Sequence, residues 1–273
     1  MTTKLSYTVQ YKNIRMCCFL LVAVLLCTCL FGCSVEGERV GYDADTSLED
    51  SENDMPVSGT PKKRVAITFD DGPHNVRTEQ IVDELSKYGW HATFFVVGNR
   101  VDGTEYAGGD AMLYAIKAGN EIGIHGYTHD VEYDTCSDER YRNELDWTAQ
   151  AIRERKPGYN IRLMRPFGGA ITDARVEACE YAVIMWSVDP EDYKYKGAPD
   201  DETQQRNVNT IVERVLSDVS DGDIILMHDL YQNTYEATVI ILARLYEMGY
   251  EVVTVSELLG EDLQPGRMYV ERD

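Results

Sequence analysis

From residue 64 onward, short apolar runs rich in Val, Ile and Phe alternate with stretches whose apolar residues recur at helical spacing. The runs predict strands at Val65–Phe69, Ala92–Val97, Glu121–Ile124, Ile161–Met164, Ala182–Val188, Asp223–Met227 and Glu251–Val255. The stretches between them predict helices near Thr78–Tyr88, Gly109–Ala118, Asp138–Arg155, Thr172–Glu180, Arg206–Asp218 and Asn233–Glu247. Strands joined through helices run parallel, because a parallel neighbour needs a long crossover. Seven such strands in about 200 residues predict an α/β barrel, smaller or less regular than the eight-stranded form. An open doubly wound sheet is the alternative, and no Gly-rich dinucleotide fingerprint supports it.

The chain ahead of this rhythm follows another pattern. Residues 1–15 carry Lys4, Lys12 and Arg15 and no acid, and Met16–Gly32 is an uncharged, mostly apolar run ending at Cys33. A basic start, an apolar core and small residues form an export signal. Leu30-Phe31-Gly32-Cys33 resembles a bacterial lipobox, with Phe31 bulkier than is usual there. The resemblance implies that Cys33 is the lipidated N-terminus of a membrane-anchored, extracytoplasmic protein; an uncleaved signal anchor is the alternative. Residues 34–63 are acidic, poor in large apolar groups and rich in Gly, Ser and Pro, the composition of a flexible tether. The expected organisation is therefore a signal over 1–33, a linker over 34–63, one globular domain over 64–260 and a tail over 261–273.

Charge narrows the partners. With 26 basic against 47 acidic residues, the formal charge is −21. Nucleic-acid binders displace counterions from phosphates with a basic footprint, so that class is excluded, and membrane contact is expected through the N-terminal anchor alone. Five of the seven Cys lie within or end the apolar run. Cys136 and Cys179 remain, and two unpaired small hydrophobes are the simpler expectation than a disulfide. Trp90 and Trp147 sit at helix-like positions expected to be core, while Tyr231 and Tyr235 are candidates to stack on a ring-shaped ligand.

In parallel α/β folds, chemistry gathers at the carboxyl ends of the strands. The residues just beyond the predicted strands are Asp70-Asp71, His125, Arg165, Asp189 with Asp192, and His228. Adjacent carboxylates repel, so a cation is expected near Asp70-Asp71. His125 and His129, four apart, suit a divalent metal if the segment turns back on itself. Gly126 after the first His excludes the H-E-x-x-H zinc protease pattern. One carboxylate and two imidazoles leave positions open for water and substrate, as catalytic metal sites do.

These residues resemble the NodB-homology polysaccharide deacetylases, carbohydrate esterase family 4. Thr68-Phe69-Asp70-Asp71-Gly72-Pro73 is similar to the family's first motif and His125…His129 to its second. Arg165-Pro166-Phe167-Gly168-Gly169 resembles the third, Asp189-Pro190-Glu191-Asp192-Tyr193 the fourth, and Leu226-Met227-His228-Asp229 the fifth. The resemblance implies a distorted (β/α) barrel of about seven parallel strands. It also implies removal of N-acetyl groups from N-acetylglucosamine units of a polysaccharide, most closely peptidoglycan. It makes Asp71, His125 and His129 the ligands of a divalent metal, zinc first, with cobalt, nickel or manganese also suited to that donor set. Asp70 becomes the general base, paired with Arg165, and His228 the acid that protonates the leaving amine, held by Asp192 ahead of Asp189. A backbone N–H near Gly168 would help stabilise the oxyanion, and Leu226 and Tyr193 would wall the acetyl pocket.

The sequence departs from the family at Gly126, where a Ser or Thr hydroxyl usually braces the loop. It departs again at Phe167, where Pro is usual beside the oxyanion loop, and at Tyr193, where Trp is usual. Two further readings stay open: a deacetylase of chitin-type, exopolysaccharide or O-acetylated xylan chains, and a glycan-binding relative without turnover.

Overall fold

The computed structural model describes residues 62–104, 107–260 and 262–272. Cys33, the signal and most of the expected tether lie outside the described residues. The first apolar run becomes β1 (Lys63–Asp70), buried throughout from Val65 to Asp70 because elements cover both its faces. There follow α1 (Arg77–Ser86), β2 (Thr93–Val96), α2 (Gly98–Val101), α3 (Gly109–Lys117), β3 (Glu121–Ile124), α4 (Asp138–Arg155) and β4 (Leu163–Met164). The chain continues through α5 (Asp173–Glu177), β5 (Ala182–Ile184), α6 (Asp201–Asp218), β6 (Ile224–His228), α7 (Gln232–Glu247), β7 (Tyr250–Val253), α8 (Val255–Leu259) and β8 (Met268–Tyr269).

All strand pairings in the sheet are parallel, in the order β6-β1-β2-β3-β4-β5-β8. At Ala66, β1 pairs β6 through Ile224 and β7 through Val253, so these neighbours occupy opposite edges. β2 then takes over the β7 edge from Thr68 to Asp70. The sheet curls until the chain beyond β5 meets the free edge of β6: Val188 bridges Ile225, and Leu226 N donates to Val188 O at 2.9 Å. That irregular seam is the distortion of the barrel.

Several details differ from the sequence expectation. The run ending at Val188 stops as a regular strand at Ile184 and resumes only as the seam. Helix α6 starts at Asp201 rather than Arg206, because the Asp200 carboxylate caps it by accepting from Thr203 N, and Asp201 and Glu202 follow at the positive end of the helix dipole. The expected tail instead supplies β8, which pairs with β5. Trp90 is core, but Trp147 is 39% exposed and meets Tyr127 edge-on. Cys136 and Cys179 are both free thiols, in agreement with the sequence expectation.

The strand alternation sorts residues onto two cores. Val65, Ile67 and Phe69 of β1, Ile122 and Ile124 of β3, and Ile225 and Met227 of β6 join the larger cluster under the helices. Ala66, Phe95, Leu163, Ala182, Ile184 and Ile224 face the barrel interior, where Val255 and Leu258 of α8 join them. With a period of two, four of the interior rows extend to a polar residue at the carboxyl rim. Ala66 and Thr68 lead to Asp70, Glu121 and Gly123 to His125, Leu163 to Arg165, and Ile224 and Leu226 to His228. Register does the rest: Asp70 and His228 are direct Cα partners across β1 and β6.

Candidate active site

Asp70, Asp71, His125, His129, Phe167, Gly168, Tyr193, Leu226 and His228 line one cleft of about 460 Å³, with Trp186, Asp189, Lys196 and Tyr231. Arg165 and Asp192 lie directly behind it, in contact with Asp70 and His228. The sequence therefore names most of the cleft, and Tyr231 of the two candidate stacking tyrosines reaches it. Tyr235 points elsewhere, its hydroxyl 3.4 Å from Glu84 Oε1.

Arg165 is fully buried, a costly position for a charge unless every donor is answered. Nε donates to Ile184 O at 3.0 Å and Nη2 to Met185 O at 2.8 Å. Nη1 donates to Thr68 Oγ1 at 2.7 Å and to Asp70 Oδ1 at 2.8 Å, reaching two successive residues of one interior row. The guanidinium lies 4.3 Å from the centroid of Phe95, a stacking that an ammonium would not reproduce.

On the opposite side, His228 Nδ1 stands 2.7 Å from Asp192 Oδ1. Asp192 Oδ2 also accepts from His228 N at 2.9 Å and from Thr234 Oγ1 at 2.6 Å, so the carboxylate is fixed from several directions. Burial disfavours the charged imidazole, but the hydrogen bond and charge of Asp192, with Asp71 and Asp70 beyond, outweigh it and raise His228 to about 9. Asp189 does not contact this ring; its Oδ1 accepts from Glu191 N at 2.8 Å.

Between these pairs, donor atoms of Asp71, His125 and His129 lie within 4.8 Å of one another. His125 Nε2 is 3.3 Å and His129 Nε2 is 2.6 Å from Asp71 Oδ1, a buried oxygen that receives no hydrogen bond of good geometry. Two ring nitrogens converging on an unsatisfied carboxylate oxygen make a suitable ligand set for a cation. The far side of one ring agrees: His125 Nδ1 is 2.9 Å from Arg165 O, a carbonyl that accepts a hydrogen bond from Nδ1–H and so leaves Nε2 with its lone pair inward. Burial opposes ionisation of Asp71, yet its interactions with His125 and His129 hold the carboxyl well below its usual range. The residues present therefore fit a divalent cation. Asp71 and His129 adopt φ of 71° and 58°, rare for residues with a Cβ, so local backbone strain coincides with the ligand set.

Sequence reasoning missed what braces this loop. Gly126 has φ of 103°, and a Cβ there would collide with the Tyr133 hydroxyl, so a Ser or Thr cannot be placed here without rearrangement. The bracing comes instead from Glu144 of α4, a buried carboxylate. It accepts from Tyr127 N at 2.7 Å, Thr128 N at 2.8 Å and Thr128 Oγ1 at 2.8 Å, and pairs with Arg140 Nη2 at 2.9 Å. On the other flank, Gly72 leaves room for the carboxylate of Asp229, which a Cβ would strike. Asp229 is wholly buried, accepts from the Thr78 hydroxyl, and burial raises its carboxyl to about 7.

Phe167 packs on His129 with ring centroids 4.1 Å apart. Gly168 adopts φ of 58° with no protein atom within 4 Å of where a Cβ would stand, so conformation rather than crowding requires glycine there. The N–H groups of Gly169 and Ala170 are committed to Pro166 O and Phe167 O. Tyr193 meets His228 edge-on, ring centroids 5.6 Å apart.

A curled parallel sheet whose rim carries these clusters defines a class: the chain belongs to the polysaccharide deacetylase family, whose sequence profile matches residues 58–184. Within it, the chain is similar to the Bacillus subtilis peptidoglycan-N-acetylmuramic acid deacetylase PdaC, with 39% identity over 197 residues, covering 72% of this chain and 39% of that protein. It is similar to the Listeria monocytogenes peptidoglycan-N-acetylglucosamine deacetylase PgdA, with 34% identity over 219 residues, covering 80% of this chain and 43% of that one. The chain thus spans about two fifths of the length of these curated relatives. The solved structure of the PdaC deacetylase superposes with a TM-score of 0.64 at 38% identity, covering 72% of this chain and 90% of that one.

Proposed function

We propose that this chain is a cation-dependent hydrolase that removes N-acetyl groups from the amino sugars of peptidoglycan, outside the cytoplasm and anchored through residues 1–33. N-acetylglucosamine is the sugar toward which the motif resemblance points. The observation that carries the reading is the single cleft in which Asp70 and His228, partners across two strands, flank the Asp71–His125–His129 ligand set.

A divalent cation held by Asp71, His125 and His129, with zinc the first candidate, supplies Lewis acidity toward the acetyl carbonyl and lowers the pKa of water. Asp70 takes the proton of the attacking water, with Arg165 fixing the carboxylate so that its second oxygen is presented to the cleft. The Gly168 N–H, on a turn whose next two N–H groups are already used, contributes to holding the oxyanion. An amine leaves poorly unless protonated as the C–N bond breaks. His228, charged up to about pH 9, delivers that proton to the nitrogen and keeps its tautomer through Asp192. Leu226 and Tyr193 exclude water around the acetyl methyl.

The test is acetate release from N-acetylglucosamine oligomers, peptidoglycan and acetylated xylan, before chelation, after chelation and after cation is restored. Cation-dependent release is expected, strongest on peptidoglycan. Glycan binding with no release on any substrate would sink the reading in favour of a silent relative.

A further inference from the structure

The cleft is lined by Asp70, Asp71 and Asp189, in a chain that carries 21 more acidic than basic residues. Such a surface repels anionic ligands unless a cation is placed to receive them. Lys196 is the one Lys or Arg on the described lining. Lys196 is exposed, and its ammonium stands 5.6 Å from the ring centroid of Tyr231, another lining residue. The neighbouring Lys194 and Arg214, by contrast, both pair with Glu191. Lys196 forms no ion pair with a carboxylate among the described residues. An ammonium with no carboxylate partner of its own, on the lining of a cleft, is placed to receive an anion from a ligand.

Its position says where on the substrate that anion sits. Lys196 follows directly on the Asp192–Tyr195 turn, whose Asp192 holds His228, and Tyr231 lies three residues beyond that histidine. Lys196 thus lines the cleft on the same side as His228, the group that would protonate the leaving nitrogen. We propose that Lys196 reads a carboxylate carried by the glycan next to the acetamido group. The cleft would then take an acetamido sugar bearing, or adjacent to a sugar bearing, a carboxylate substituent, as N-acetylmuramic acid does through its lactyl ether. The proposal rests on the glycan-deacetylase reading and sharpens its substrate.

The test compares the cation-loaded native protein, Lys196→Met and Lys196→Arg on three probes. They are a neutral N-acetylglucosamine tetramer, a peptide-free fragment alternating N-acetylglucosamine with N-acetylmuramic acid, and the same fragment with stem peptides, where the lactyl group is an amide and the carboxylates sit on the peptide. Where acetate is released, kcat/KM is read for each probe; where none is released, Kd is read by calorimetry. The native protein is expected to prefer a carboxylate probe over the neutral tetramer by about fivefold or more at low salt. Lys196→Met should bring that ratio toward one, Lys196→Arg should retain it, and high salt should compress it. Whichever carboxylate probe carries the preference identifies the anion as lactyl or peptide. A native ratio near one, or a ratio unchanged in Lys196→Met, overturns the proposal. Failure of the deacetylase reading looks different: no acetate from any probe, whatever the binding ratio.

Discussion

Two buried acid–base pairs flank the ligand set, and they are built for opposite ends. Arg165–Asp70 has side-chain exposures of 0% and 4%, and the guanidinium spends its donors on three backbone or hydroxyl oxygens besides the carboxylate. It carries a charge that water never reaches and a proton that chemistry never moves. His228–Asp192, at 12% and 0%, keeps its carboxylate deep and its ring on the cleft lining. There the proton sits on a group able to release it within the accessible pH range. In the proposed reaction, one pair orients a base and the other stores an acid.

The contrast breaks most sharply at Asp70. Asp70→Asn keeps the shape and removes the proton acceptor, so kcat should fall by about 10³-fold or more with cation still bound. Arg165→Met should act on the fold as well: it strands a buried carboxylate, at a cost of about 3–5 kcal/mol in denaturant unfolding. His228→Ala should lower amide hydrolysis by about 10²-fold or more and spare an acetyl ester, whose alkoxide leaves without prior protonation. Parallel kcat/KM values on an N-acetyl and an O-acetyl glycan check this, and equal losses would remove His228 from the acid role.

The next effect is in pH. The acid form of His228 is present below its folded pKa and lost as pH rises through about 9, so the alkaline limb of kcat/KM should lie near there. Asp192→Asn deletes the strongest of the interactions that raise the pKa while burial still lowers it, so the limb should move to lower pH. A limb that stays in place in Asp192→Asn would detach the pair from that titration. The smallest effect is expected at Glu144, which touches the loop backbone rather than substrate. Glu144→Gln should weaken cation affinity by about tenfold, read by chelator competition, with the circular dichroism unchanged.

Much of this was legible in the sequence. β1 and β6 declare themselves as apolar runs ending in Asp70 and His228, and the alternation of strand and helix fixes the rim on which those ends meet. The two-residue β8 is a different matter. β8 has no periodicity to read, and it forms only because β5 offers it an edge. Helix α8 did carry a signal, since Thr254 and Glu257 complete a capping box. Glu144 also left a trace: it falls on the buried stripe of α4 with Tyr141, Leu145, Thr148 and Ile152, where a carboxylate is out of place unless something binds it. What it binds is distant in sequence only by a loop, but backbone N–H groups leave no mark on composition. Lys196 was hidden for a related reason: a lysine among acidic and aromatic neighbours looks solvated until the fold shows which carboxylates are already taken.

The central claim is that two adjacent carboxylates divide the labour, Asp71 holding the cation and Asp70 moving the proton. Equilibrium dialysis with metal analysis on the native protein, Asp71→Ala and Asp70→Asn, alongside acetate release by each, tests it most directly. One tightly held divalent ion is expected in the native protein and in Asp70→Asn, none in Asp71→Ala, and turnover only in the native protein. An ion retained in Asp71→Ala, or near-native turnover in Asp70→Asn, would contradict it.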